Sequence, residues 1–228
     1  MAKMTMVEAL NLALRQEMAQ DDSVVLLGQD IGRDGGVFRV TDRLIDQFGS
    51  ERVIDTPLAE SAIVGMSVGM AIYGLKPVCE IQFSGFSYHN FHQLENHAAR
   101  MRWRTRGRLT VPMVMRAPYG GGVRALEHHA ESRETYWAHT PGLKMVIPSG
   151  PRNARALLVS AIRDPDPVIF YEGKALYRAF REEVPEDEET LPIGKAKVVR
   201  EGRDVTIITY GAMVHPTLAA AVQLDEKF

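Results

Sequence analysis

Two short stretches of this chain hold the residues best suited to chemistry. In Asp55-Thr56-Pro57-Leu58-Ala59-Glu60-Ser61, Glu60 closes a polar junction and opens an almost wholly apolar run over residues 62–75. A carboxylate in such a setting needs a partner, because an unpaired buried charge is costly. That partner is either a helix N-terminus or a protonated heterocycle, and the residues alone leave both open. The second stretch joins a flexible loop, Tyr119-Gly120-Gly121-Gly122-Val123, to Glu127-His128-His129-Ala130-Glu131. Glycines let backbone approach a ligand closely, and a histidine at the far end of such a loop can move protons near neutral pH. Whether this one does so is not decided by composition. Adjacent histidines point in different directions and lack the i, i+4 register of a zinc helix, which argues against a metal site there.

Three other features have less to offer. Gly65-Met66-Ser67-Val68-Gly69 matches the G-x-S-x-G elbow of hydrolases, but that elbow needs a strand running straight into a tight turn, and this one lies inside a helix-patterned segment. Close helix packing through its glycines is the better account. The single cysteine, Cys79, sits in the apolar run PVCEIQF and reads as a small buried hydrophobe. Met101 to Arg108 reads MRWRTRGR, a basic cluster around Trp103 that follows a helix-like segment; a rim facing a partner subunit explains it better than nucleic-acid binding.

Glu60 and the histidine loop must be held by strand ends. Short apolar runs bounded by turn residues, typical of fully buried parallel strands, occur at residues 24–28, 53–55, 77–83, 111–116, 144–147 and 167–171. Helix-patterned segments separate most of them, at 59–73, 88–103, 132–139 and 152–163. An opening helix is signalled by Thr5 three residues before Glu8, a capping-box pattern. This alternation predicts an α/β domain with a mainly parallel sheet and helices on both faces. The acidic, proline-punctuated FREEVPEDEETLPIG then predicts a solvated linker. Beyond it, KAKVVREG and DVTIITYG predict two strands, and AMVHPTLAAAVQL predicts the start of a helix. The expected division is therefore a domain over residues 1–175, a linker over 176–194, and the beginning of a second α/β domain over 195–228.

Bulk properties exclude several classes. With 228 residues, 45% of them hydrophobic, the chain can bury a real core, and 27 basic against 29 acidic residues give no whole-chain attraction to nucleic acid or an anionic membrane. The apolar run 62–75 is too short to span a bilayer of about 30 Å as a helix. One cysteine excludes an intrachain disulfide and fits a reducing compartment. The N-terminus has neither an apolar core nor a small-residue cleavage site, so a cytoplasmic location without a signal peptide is expected.

Read in order, eight blocks carry a family likeness: DTPLAESAIVGMSVGMAIYGLKPVCEIQFSGF, MRWRTRGR, VPMVMRAPYGGGV, EHHAES, HTPGLKMVIPSGP, AIRDPDPVIFYEGKALYR, EEVPEDEETLPIGKA and REGRDVTIITYGAMVH. Over residues 4–222 the chain resembles the beta subunits of the thiamine-diphosphate-dependent decarboxylase component of pyruvate and branched-chain 2-oxo acid dehydrogenase complexes. The resemblance implies a thiamine-diphosphate-binding fold like the pyrimidine-binding domain of transketolase-type enzymes, followed by the start of a truncated transketolase-type C-terminal domain. It implies an alpha-two-beta-two heterotetramer in which the alpha subunit holds the magnesium diphosphate end of thiamine diphosphate and the beta subunit holds the aminopyrimidine. Glu60 would then hydrogen-bond the pyrimidine ring nitrogen, Phe86 would pack against the pyrimidine with Leu58 alongside, and His129 would face the reacting carbon.

The implied activity is oxidative decarboxylation of a small 2-oxo acid, with acyl transfer to lipoamide on a lipoyl acyltransferase core. The linker and the REGRDVTIITYGAMVH block look pyruvate-type, while branched-chain members share most of the other blocks. A potassium ion held by backbone carbonyls near Ala161, Asp164 and Asp166 is also implied, with a plain helix-to-strand turn as the alternative. Beta subunits of the family continue into a complete second α/β domain, so the chain is expected to be a fragment or a shortened product. The competing function is a non-catalytic assembly module that binds the alpha subunit.

Overall fold

The computed structural model describes residues 1–227. In chain order its regular elements are β1 (Ala2–Met4), α1 (Met6–Gln20), β2 (Val24–Gln29), α2 (Leu44–Phe48), β3 (Val53–Thr56), α3 (Glu60–Ile72), β4 (Lys76–Glu80), α4 (Met101–Arg104), β5 (Val114–Tyr119), α5 (Glu134–Ala138), β6 (Lys144–Val146), α6 (Pro151–Ile162), β7 (Val168–Gly173), β8 (Glu182–Val184) and α7 (Val214–Lys227). Six strands form one sheet in the order β3-β2-β4-β5-β7-β6, and every neighbouring pair is parallel.

Alternate residues of these strands feed two cores, which is why the strands read as continuous apolar runs. Leu26, Val78, Val114, Val168 and Phe170 face α1 and α6, whose Met6, Leu10, Leu14, Ala154 and Leu158 complete that layer. Leu27, Cys79, Met115, Ile169 and Tyr171 face the opposite way, onto Ile63, Val64 and Val68 of α3 together with Leu94, Ala98 and Trp137. The opening helix starts as its sequence predicts. The Thr5 hydroxyl accepts from the Glu8 amide, and the Glu8 carboxylate accepts from the Thr5 amide at 2.7 Å. Its polar edge also binds α6, through Arg155 to Gln16 at 2.6 Å and Arg163 to Glu17 at 2.8 Å.

Several expected elements come out differently. The fifth strand begins at Val114 rather than 111, because Pro112 has no N–H for the ladder and the Met113 amide turns back to the Val111 carbonyl. The segment 88–103 is not one helix. It breaks into a 3-10 turn (Ser84–Tyr88), a π-turn (Gln93–Ala98) and α4, since it is polar on most faces and no apolar stripe enforces a single period.

The acidic linker is not simply solvated. It contains β8, which pairs antiparallel with β1, and arginines of the α6 region bind its carboxylates, Arg152 with Glu189 and Arg163 with Glu188. The two strands expected at 195–210 do not form. Val198, Val205 and Ile208 are 68%, 70% and 92% exposed, and an extended segment without a neighbour has no ladder to join. The helix expected after them is present as α7, and Phe228, the last residue of that unit, lies outside the described residues. Among the described residues no helix is long and apolar enough to cross a membrane.

Connections set the location of the site. From β2 the chain steps outward to β3, then crosses back over β2 to β4, so the direction of winding reverses between β2 and β4. In open parallel sheets ligands bind beyond the carboxyl ends of the strands at such a reversal.

Candidate active site

Glu60, Phe86 and His129 all follow carboxyl ends of sheet strands. Glu60 is the first residue of α3, just beyond β3, and is only 7% exposed. Beside it, the Ser61 hydroxyl donates to the His89 carbonyl, tying the first turn of α3 to the turn that carries Phe86. Glu60 is buried as a residue, and among the described residues no donor reaches its carboxylate, which keeps its hydrogen-bonding capacity for solvent or a bound molecule. That is the condition for binding a cationic or N–H-bearing ring, and it fits an aminopyrimidine.

Phe86 lies in the 3-10 turn after β4. The next residue, Ser87, is buried with its hydroxyl 3.3 Å from the Tyr171 phenol, which accepts from the Trp137 indole at 2.6 Å. Burial pushes the Tyr171 phenol up to about 12, so it remains a neutral hydroxyl that braces the turn from below. The turn also packs directly on the histidine loop. A Cβ at Gly85 would stand 2.2 Å from the His128 carbonyl oxygen, so no other residue fits there without displacement. The Ser84 hydroxyl donates to the Glu131 carbonyl at 2.6 Å, and the Gly120 amide donates to the same oxygen at 2.9 Å.

These contacts bring the His129 ring edge-on to Phe83 at 4.5 Å and to Phe86 at 5.2 Å between centroids. Its Nδ1 lies 3.1 Å from the Glu127 carbonyl, which can only accept. Nδ1 therefore carries the hydrogen, and Nε2 is left as the basic nitrogen able to exchange a proton with a bound molecule. His128, by contrast, is exposed and sits 3.4 Å from Glu131, itself paired with Arg133.

Beneath the crevice is an ion network that sequence reading missed. Register places Glu80 of β4 directly beside Arg116 of β5, with Glu172 on the adjoining strand β7. Arg116 donates twice to Glu172, at 2.7 and 2.8 Å, and once to Glu80 at 2.8 Å; Tyr177 donates to Glu172 at 2.7 Å. Burial raises the Glu80 carboxyl above its ordinary range despite the attraction of Arg116. It opposes the charge on Arg116 as well, but the two carboxylates prevail and hold the guanidinium protonated. Its available signal was a charged residue inside two apolar strand runs, Glu80 and Arg116, and another, Glu172, directly after a third.

The other sequence candidates fall elsewhere. Leu58 lies two residues before Glu60 and is 67% exposed, on the rim of the crevice. Ser67 is fully buried and donates to the Ile63 carbonyl within α3 at 2.8 Å, which leaves it no access to a substrate. Burial pushes the Cys79 thiol up to about 12 and makes it inert. Ala161 lies in the last turn of α6, and Asp164 and Asp166 sit between α6 and the amino end of β7, at the far end of the sheet from Glu60. There Asp164 grips Lys144 at 2.6 and 2.8 Å, and Asp166 accepts from Arg102 at 2.6 Å, so only main-chain oxygens remain for a cation. The arginine-rich segment lines a cleft of about 960 Å³ at that same far end, with Val111, Leu143 and Pro167; it contains none of Glu60, Phe86 and His129.

Comparisons with known proteins agree with this architecture. A family model described as transketolase, pyrimidine binding domain, matches residues 2–179, and one described as transketolase, C-terminal domain, matches residues 194–227. The pyruvate dehydrogenase E1 component subunit beta of Acholeplasma laidlawii is 54% identical over 226 residues, covering 99% of this chain and 69% of its own length. Its namesake from Bacillus subtilis (strain 168) is 53% identical over 226 residues, with 99% and 70% covered. A solved structure described as a split gene transketolase, inactive beta4 tetramer, superposes with a TM-score of 0.78 at 22% identity, covering 99% of this chain and 69% of that one, and so shares the fold.

Proposed function

Because this chain belongs to the family of pyruvate dehydrogenase E1 component beta subunits, built on the transketolase pyrimidine-binding domain, we propose that it holds the aminopyrimidine end of thiamine diphosphate. The observation that carries the reading is Glu60, a residue only 7% exposed whose carboxylate has no donor among the described residues, at the carboxyl end of β3 beside the turn bearing Phe86. Bound thiamine diphosphate would supply a carbanion nucleophile and an electron sink for decarboxylating a 2-oxo acid. Glu60 holds a proton on the pyrimidine ring nitrogen, which keeps the exocyclic nitrogen in the form that can accept one. Each pKa unit of that stabilisation is worth about 1.4 kcal/mol, and a charge-assisted bond out of water supplies more than one such unit.

Phe86 offers an apolar wall to the pyrimidine and Leu58 covers its edge. His129, with Nδ1 committed to the Glu127 carbonyl, relays protons through Nε2 at the substrate carbon. The substrate is pyruvate, a reading supported by both relatives being pyruvate dehydrogenase components. The acyl group passes to lipoamide on an acyltransferase core, and an alpha subunit in an alpha-two-beta-two assembly holds the magnesium diphosphate. A potassium ion, where present, binds main-chain oxygens at Ala161, Asp164 and Asp166. The pyrimidine-binding unit spans 1–175 and the C-terminal unit begins near 195, with the two family matches as support.

The test is hydrogen–deuterium exchange at the thiazolium carbon, followed by NMR in the chain assembled with its alpha subunit. Glu60→Gln is expected to slow exchange by at least about 100-fold, the equivalent of two pKa units. Exchange at the wild-type rate overturns the assignment.

A further inference from the structure

We propose that Lys174 is the positioning residue of the His129 loop, its buried ammonium fixing the His129 carbonyl and through it the stance of the imidazole against Phe83 and Phe86. The proposal rests on the reading of His129 as the proton relay. Lys174 lies in the 3-10 turn Lys174–Leu176 directly after β7, and only 5% of it is exposed. No carboxylate among the described residues pairs with it. Its Nζ donates to the His129 carbonyl and stands 5.1 Å from the centre of the Phe83 ring, the same ring that the His129 imidazole meets edge-on at 4.5 Å. A buried ammonium without a counter-charge is expensive to keep, and an aliphatic side chain would fill the space without that cost. Burial lowers the Lys174 pKa, as expected of an ammonium compensated only by a carbonyl and a ring face.

The loop needs such an anchor. His128 has φ +67, a left-handed conformation uncommon outside glycine, though histidine is among the residues that adopt it most readily. The Ser84 and Gly120 bonds both end on the Glu131 carbonyl, two residues past the imidazole. Among the described residues the His129 carbonyl has Lys174 as its one donor. The same turn supports the start of the loop, since Ala175 Cβ lies 3.0 Å from where a Gly122 Cβ would stand. Lys174 thus fixes the peptide plane after His129, which aims the Cα–Cβ bond of the relay.

The experiment uses the chain assembled with its alpha subunit and reads amide hydrogen exchange over residues 126–131 together with steady-state acyl transfer. Lys174→Met is expected to speed exchange in that segment about 10-fold, with little change over 84–88. It should lower kcat about 10-fold while KM for the 2-oxo acid stays within about 2-fold, the pattern of a displaced group rather than lost substrate binding. Lys174→Arg, which keeps a donor and a charge, should restore most of both. In a His129→Ala background Lys174→Met should add less than about 2-fold, because the two act as one unit. Unchanged exchange in Lys174→Met, or its full kinetic effect without the imidazole, overturns the proposal. Should Lys174→Met fail to fold by circular dichroism, Lys174→Gln takes its place, and unchanged exchange there counts equally against it. The two readings fail separately: a silent His129→Ala removes the relay, whereas a damaging His129→Ala with a silent Lys174→Met removes only the anchor.

Discussion

Replacing Arg116 by methionine should be among the most damaging single changes in the sheet. Arg116 is 2% exposed, its partner Glu172 is 0% and Glu80 is 7%. Removing the guanidinium strands two buried carboxylates that share three donated bonds. Breaking a buried pair from one side costs about 3–5 kcal/mol, and the second carboxylate places this case toward the upper end. For a chain of this size such a loss lowers Tm by roughly 10 °C or more. The assay is urea unfolding across pH, comparing midpoints at unchanged slope. In the variant the Glu80 carboxyl, already raised by burial, is no longer opposed by a cation. A raised carboxyl contributes stability below its unfolded pKa and loses it as pH rises through the folded value. The gap to wild type should therefore be widest near pH 7 and narrow as pH falls toward 5. Adding Glu80→Gln and Glu172→Gln to Arg116→Met should recover at least half of the loss. A penalty under about 1 kcal/mol at pH 7, or one that does not shrink in acid, would refute the reasoning.

Gly85→Ala places a methyl 2.2 Å from the His128 carbonyl oxygen, so the loop must yield. Acyl transfer measured in the assembled protein should fall on the order of 100-fold, with a stability loss of only about 1–3 kcal/mol by thermal melting. Asp21 is held at about 2 by the Ser23 hydroxyl and by Lys76. Its carboxylate therefore contributes stability above its unfolded value that disappears as pH falls toward 2. Ser23→Ala should flatten the acid limb of the stability profile between pH 4 and 2, by no more than about 1 kcal/mol given its partial exposure to solvent.

Much of the sheet was legible because parallel strands buried on both faces leave a clear trace: residues 24–28 are apolar throughout, and Val53-Ile54 and Met145-Val146-Ile147 are short apolar runs. Glu60 was legible for the same reason, as the one charge opening an apolar helix. Other features were hidden where chemistry and pattern disagree. The strand Glu182–Val184 lies inside an acidic stretch whose charge reads as solvation, yet Glu182 turns its carboxylate onto the Arg152 amide in the first turn of α6 at 3.0 Å. Lys174 was passed over because a lysine after a strand usually reaches solvent, and only the tertiary structure shows the carbonyl it meets. The expected strands of 195–210 failed for the opposite reason, since apolar alternation signals a strand only where another strand lies beside it.

The seam between the two ends of the pyrimidine-binding unit bears on how the molecule is made. α1 leaves a ribosome well before α6, on which it finds much of its apolar covering, and among the described residues β1 pairs only with β8 near residue 184. Nascent α1 must wait for most of the unit to be translated before its greasy stripe is covered. Holdase chaperones would meet that stripe during the interval, and synthesis halted before residue 151 would leave it with strands of the sheet but without its helical partner α6.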